Sequence, residues 1–146
     1  MSAQLRPAKP SLTIKRRFNA APEKIYAAWT DPEKLARWWG PGPGDVLDAS
    51  LDVRVGGRFR ILFRFEGEEH GVSGEYREVE PNRRLAFTWA WRSTPERESY
   101  VSVTIKPDGA GSILTLLHEQ FVDEASRNNH NRGWTASLDK LAAVLG

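Results

Sequence analysis

Between Leu12 and Phe18 apolar and polar residues alternate. Leu12, Ile14 and Phe18 fall on one side and Thr13, Lys15 and Arg17 on the other. A two-residue period belongs to a strand with one buried face, and it sets Arg16 on the apolar side. Pro22 with Glu23 suits a helix start. Ile25, Tyr26, Ala28 and Trp29 then recur at helical spacing, and Asp31-Pro32 breaks that helix and opens another short one through Trp38 and Trp39. The glycine and proline run Gly40 to Gly44 is a loop by backbone chemistry alone.

Beyond the loop the period of two returns. Strands are expected over Val46 to Val55, Arg58 to Phe65, Val72 to Val79, Leu85 to Trp91, Tyr100 to Lys106 and Ser112 to Phe121. The segments between them are turn formers: Gly56-Gly57, Glu66-Gly67, Glu80-Pro81-Asn82, Ser93-Thr94-Pro95 and Pro107-Asp108-Gly109. Short strands on short turns favour an antiparallel meander. From Asp123 to Leu145 helical spacing resumes through Trp134, Leu138, Leu141 and Ala142, which puts Trp134 and Leu138 toward the sheet and Arg132 and Lys140 toward solvent. The fold class expected is α+β. A curved antiparallel sheet of six to seven strands wraps a long C-terminal helix, with two short helices after the first strand.

One helix cannot fill the whole concavity of such a sheet, so large side chains or an internal cavity must occupy the rest. Phe59, Phe63, Phe65, Phe87, Trp89 and Trp91 alternate inward, joined by Trp134 and by Trp38 or Trp39. Most such rings fill a core, and the others are the usual lining of small-molecule pockets. Arg16, Tyr76 and His118 share the apolar faces, where burial is costly unless they are paired. Arg16 either forms an ion pair with a carboxylate such as Glu78 or Glu119 or meets a ligand. His118 reads as a hydrogen-bonded cavity wall ahead of a catalytic base. A bound molecule would then carry one polar or anionic head. The candidate ligand contacts are therefore Arg16, Trp38, Trp39, Phe59, Phe63, Tyr76, Trp89, Trp91, His118 and Trp134.

With 146 residues the chain suits one domain, taken as residues 11–146 after a frayed tail over 1–10. The absence of cysteine excludes disulfides and thiolate chemistry and agrees with the cytoplasm. The first ten residues lack an apolar block of the signal-peptide kind, and no later run approaches the length of a membrane span. Basic and acidic residues nearly balance, 21 against 19, so the chain lacks the charge excess of a nucleic-acid binder, and the row Arg58, Arg60, Arg64 reads as the solvated side of a strand. His70, His118 and His130 form no ligating array, and neither a phosphate loop nor a serine elbow is present. No metal or other cofactor is expected. What chemistry remains is proton transfer within the cavity. Leu62, Ile113 and Leu117 fall on the outer sheet face, which points to a homodimer.

The residues Arg16-Arg17-Phe18-Asn19-Ala20-Ala21-Pro22, followed by Ile25-Tyr26-Ala27-Ala28-Trp29-Thr30-Asp31-Pro32 and by Leu35-Ala36-Arg37-Trp38-Trp39-Gly40-Pro41, resemble the opening of the SRPBCC (START-like) superfamily. Within it the match is to the branch similar to the C-terminal domain of the activator of heat-shock protein 90 ATPase. Val55-Gly56-Gly57-Arg58-Phe59, Gly74-Glu75-Tyr76, Leu85-Ala86-Phe87-Thr88-Trp89, Leu114-Thr115-Leu116-Leu117-His118-Glu119 and Gly133-Trp134 extend the likeness to the end of the chain. The resemblance implies a helix-grip fold and a hydrophobic cavity for an apolar or amphipathic molecule. The same superfamily includes binding proteins, cyclases and a co-chaperone, so an enzyme of cyclase or isomerase type and a chaperone-binding module stay as alternatives. The co-chaperone role is disfavoured, since 146 residues leave no room for the separate N-terminal domain of the eukaryotic activator.

Overall fold

The alternation at the start of the chain forms β1 (Leu12–Phe18). Pro22 occupies the first turn of α1 (Pro22–Thr30), where its missing N–H costs no hydrogen bond. Asp31 ends that helix and caps α2 (Pro32–Leu35), its carboxylate accepting from the Glu33 backbone N–H at 3.0 Å. The second helix is shorter than its sequence spacing implied. It closes in turns at Leu35, so Trp38 and Trp39 stand just beyond it. The computed structural model describes residues 9–40 and 46–145, and the loop expected over Gly40 to Gly44, apart from Gly40 itself, and most of the expected tail lie outside them.

Six further strands follow: β2 (Val46–Leu51), β3 (Arg58–Phe65), β4 (Glu68–Glu80), β5 (Arg84–Trp91), β6 (Thr94–Asp108) and β7 (Gly111–Glu119). They form one antiparallel curved sheet in the order β1-β7-β6-β5-β4-β3-β2. Ser93-Thr94-Pro95 is not the turn expected, because Thr94 and Pro95 belong to β6. Proline is tolerated there because the β5–β6 register shifts between Trp89 and Trp91, and the ladder needs no donor at that point. Further register shifts fall at Tyr76/Glu78 in β4 and at Val46/Asp48 in β2. Bulges of this kind bend a sheet.

The last helix, α3 (Glu124–Leu145), packs against β1 and α1. Asp123 stands just before it and accepts a hydrogen bond from the Ser126 backbone N–H at 2.8 Å, which holds its carboxyl below the usual range. Trp134, Leu138 and Leu141 are buried on α3, as its spacing required, and Arg132 is exposed; Lys140 is half-buried instead of pointing fully to solvent. Arg58, Arg60 and Arg64 are exposed, and Arg60 meets Asp48 at 3.6 Å. Leu62, Ile113 and Leu117 are half-buried on the outer face, while the exposed large apolar side chains are Leu47, Val55, Val122 and Val144. Among the described residues no helix is long and apolar enough to cross a membrane.

Candidate functional site: an aromatic cavity beneath the last helix

Inward rings from β3 and β5 meet α3 around a cavity of about 580 Å³. Trp39, Phe63, Phe65, Trp89, Trp91 and Trp134 supply its apolar wall, with His70, His130, Asn129 and Arg132 among the polar lining. The volume suits a drug-sized organic molecule. The rings brace one another: Trp89 and Trp134 lie 5.1 Å apart, Trp39 and Phe63 4.9 Å, and Phe63 and Trp91 5.9 Å between centroids. Deeper in, a second space of about 20 Å³ is walled by Phe59, Tyr76, Phe87 and Trp29 together with Trp39, Trp89 and Trp134. The last three border both spaces.

Two imidazoles fix the tryptophans. The Trp134 indole N–H donates to His118 Nδ1 at 3.0 Å, so the neutral ring carries its proton on Nε2 and donates to Ser99 Oγ at 2.7 Å. Ser99 in turn donates to the Trp89 carbonyl at 3.4 Å. His130 is bound in the opposite sense: its Nε2 accepts from the Trp91 indole at 2.8 Å while Nδ1–H donates to the Ser126 carbonyl at 2.7 Å. Burial pushes both imidazoles down, His118 well below the ordinary histidine value, and the neighbouring His130 depresses it further. Both lone pairs are taken by indole donors, so neither ring is poised as a general base.

A stability prediction follows from these neutral rings. An unfolded chain binds protons on both imidazoles below about pH 6.5, whereas the folded chain resists them, so stability holds above that value and is lost as pH falls through the lowered folded values. The urea midpoint should therefore drop between about pH 7.5 and about pH 5, and the drop should shrink in a His118→Gln/His130→Gln variant. A midpoint that stays level over that interval in the parent protein would contradict the buried neutral state.

The ten expected contacts separate into groups. Trp39, Phe63, Trp89, Trp91 and Trp134 line the larger cavity, while Phe59 and Tyr76 border the inner space. Trp38 is fully buried with its indole N–H bonded to the Ala28 carbonyl at 3.0 Å, and it is core. His118 lies behind Trp134 and lines neither space. Arg16 pairs with Asp139 of α3 and sits over the Phe18 ring at 5.6 Å, away from both spaces. Of the two carboxylates expected for it, Glu78 and Glu119, Glu78 is bound on both oxygens by Arg84 at 3.1 Å, which lowers the Glu78 carboxyl, and the partner found is neither. The polar head expected from Arg16 and His118 therefore has no support at those two residues.

Sequence reasoning passed over His130 and Ser137. Both have a spacing signal, since Ser126, His130 and Trp134 recur every four residues on α3 and Ser137 follows one turn on. Ser137 donates to the Gly40 carbonyl at 3.1 Å and accepts from the Gly40 N–H at 3.2 Å, tying the segment after Trp39 to α3 at the cavity wall.

The chain is similar to solved structures over most of its length. The AHSA1 protein of Silicibacter pomeroyi matches with 34% identity and a TM-score of 0.81, over 93% of this chain and 97% of that one. A Chromobacterium violaceum protein matches with 30% identity, the same TM-score and the same coverage. The mouse protein named Activator of 90 kDa heat shock protein ATPase homolog 1 is 28% identical over 84% of this chain and 33% of its own length. This chain thus spans about a third of that relative. The family model described as Activator of Hsp90 ATPase homolog 1-like protein matches residues 19–146. With a helix-grip sheet, a ring-lined cavity under the last helix and a family match over nearly the whole chain, the protein belongs to the Activator of Hsp90 ATPase homolog 1-like family.

Proposed function

We propose that this domain binds a small, mainly apolar molecule between the sheet and α3. The observation that carries the reading is the cavity of about 580 Å³, walled by six aromatic rings whose neighbours hold them in place. A core that needed only filling has no use for an open recess of this size, which leaves its apolar rings facing water. The two imidazoles favour binding over catalysis, because each already accepts a hydrogen bond on the nitrogen that would take a proton.

Gly133 provides the test. It lines the cavity from α3, and a Cβ built on it meets nothing within 4 Å. Gly133→Ala should raise stability by about 0.5–1 kcal/mol, the usual gain on replacing a helical glycine. Gly133→Leu should keep the fold and fill part of the cavity. Native mass spectrometry of the parent protein from its own cells should find an apolar molecule that the leucine variant has lost. If the two proteins carry the same mass, or neither carries a ligand and neither binds naphthalene-sized probes, the reading fails.

A second reading, engagement of a chaperone, draws on the similarity to the mouse activator. Its test is the ATPase rate of a 90 kDa heat shock protein with and without this chain. An unchanged rate would remove it.

A further inference from the structure

We infer that the inner space is a subsite for a donor-free oxygen, such as the carbonyl of a ketone or ester, on an otherwise apolar ligand. The inference rests on the cavity reading above and specifies its polar contact. The indole nitrogens of Trp29 and Trp89 are buried and have no acceptor among the described residues. Both rings wall the same space of about 20 Å³, which is room for one oxygen atom or one water. Indole nitrogen is a donor and never an acceptor. Orphaned donors in an apolar wall are costly, and an acceptor that reaches either of them offsets that cost.

The geometry connects this space to the ligand. Trp29 stacks on Trp134 at 5.7 Å and Trp134 meets Trp89 at 5.1 Å, so the two orphaned indoles flank the ring that borders both spaces. Trp39, Trp89 and Trp134 are the wall that the two spaces share, so an apolar body in the larger cavity brings one oxygen to that wall, and the rings must part for it to reach the inner space. An anionic head is disfavoured. Among the described residues no cationic side chain borders the inner space, and the Tyr76 hydroxyl on its wall is kept neutral by burial with Tyr26 and Asp52 nearby. The chemistry required is acceptance of hydrogen bonds without charge.

The test compares 2-acetylnaphthalene with 2-isopropenylnaphthalene, in which a methylene group replaces the carbonyl oxygen at nearly constant shape, and with 2-naphthoate. Calorimetry on the unmodified protein should show the ketone bound about tenfold tighter than the alkene. The carboxylate should bind more weakly than the ketone. In proton–nitrogen spectra the ketone, and not the alkene, should move the indole protons of Trp29 and Trp89 downfield, the mark of a newly accepted hydrogen bond, with signals assigned through Trp29→Phe and Trp89→Phe. Equal affinity for ketone and alkene, or indole signals that the ketone leaves in place, would mean that the donors serve a trapped water. The subsite would then fall while the cavity reading stood. Failure of all three probes to bind would overturn the cavity reading and the subsite with it. The ligand comparison needs no variant, so misfolding of either phenylalanine variant does not blunt it.

Discussion

Trp134→Ala should lower the unfolding free energy by about 3–5 kcal/mol. The ring is only 4% exposed and packs between Trp29 and Trp89. Its loss removes a large buried apolar surface and opens the wall between the cavity and the inner space. It also takes away the donor to His118 Nδ1, leaving a fully buried imidazole nitrogen without its partner. Trp134→Phe keeps much of the ring and loses the hydrogen bond, so it should fall between the alanine variant and the parent. Guanidinium unfolding followed by circular dichroism measures all three. A loss below about 1 kcal/mol for the alanine variant would contradict the packing described.

Gly74→Ala should be strongly damaging too, by about 3 kcal/mol, although it adds one methyl group. Gly74 pairs with Phe59 across β3 and β4, and β5 approaches it closely from the other side. A Cβ there would stand 1.8 Å from the Thr88 carbonyl oxygen, 2.6 Å from the Thr88 carbonyl carbon and 2.7 Å from the Phe59 ring. Two of these atoms are backbone, so no rotamer change relieves the clash and the strands must separate. The Thr88 hydroxyl already accepts from the Glu75 N–H at 2.8 Å, a side-chain bond within this irregular stretch of the ladder. A thermal midpoint equal to that of the parent would show that β4 and β5 part there at no cost.

Regular alternation made the strands legible: β1 and β3 have the bounds that the period of two implied. Legibility declined where the ladder departs from that period. Pro95 read as a turn because a proline is excluded from a paired strand interior, and only the register shift in β5–β6 makes its place in β6 acceptable. Trp38 and Trp39 are adjacent in sequence, and helical spacing could not choose between them, because α2 ends first and the following turns decide which ring faces the cavity. Arg16 was read on the apolar face of β1 with an ion pair as one of its two roles, and it does form one, but its partner lies on α3, a residue that strand alternation cannot reach. His118 and His130 lie 5.0 Å apart between ring centroids. Each is bonded to a tryptophan, yet only His130 reaches the cavity.

The strand order has a consequence for the sequence of events in folding. Five of the six strand pairings join neighbours in the chain, and each can zip from its own turn. The sixth does not. β1 lies beside β7 with Phe18 opposite Ser112, so most of the chain must be gathered before that ladder can form. The β1–β7 ladder is therefore the pairing with the greatest loop-closure cost, and without it β7 would be an unpaired edge. β1 covers that edge and, through Arg16 and Asp139, also holds α3, so one late-closing strand secures both the sheet margin and the helix that roofs the cavity.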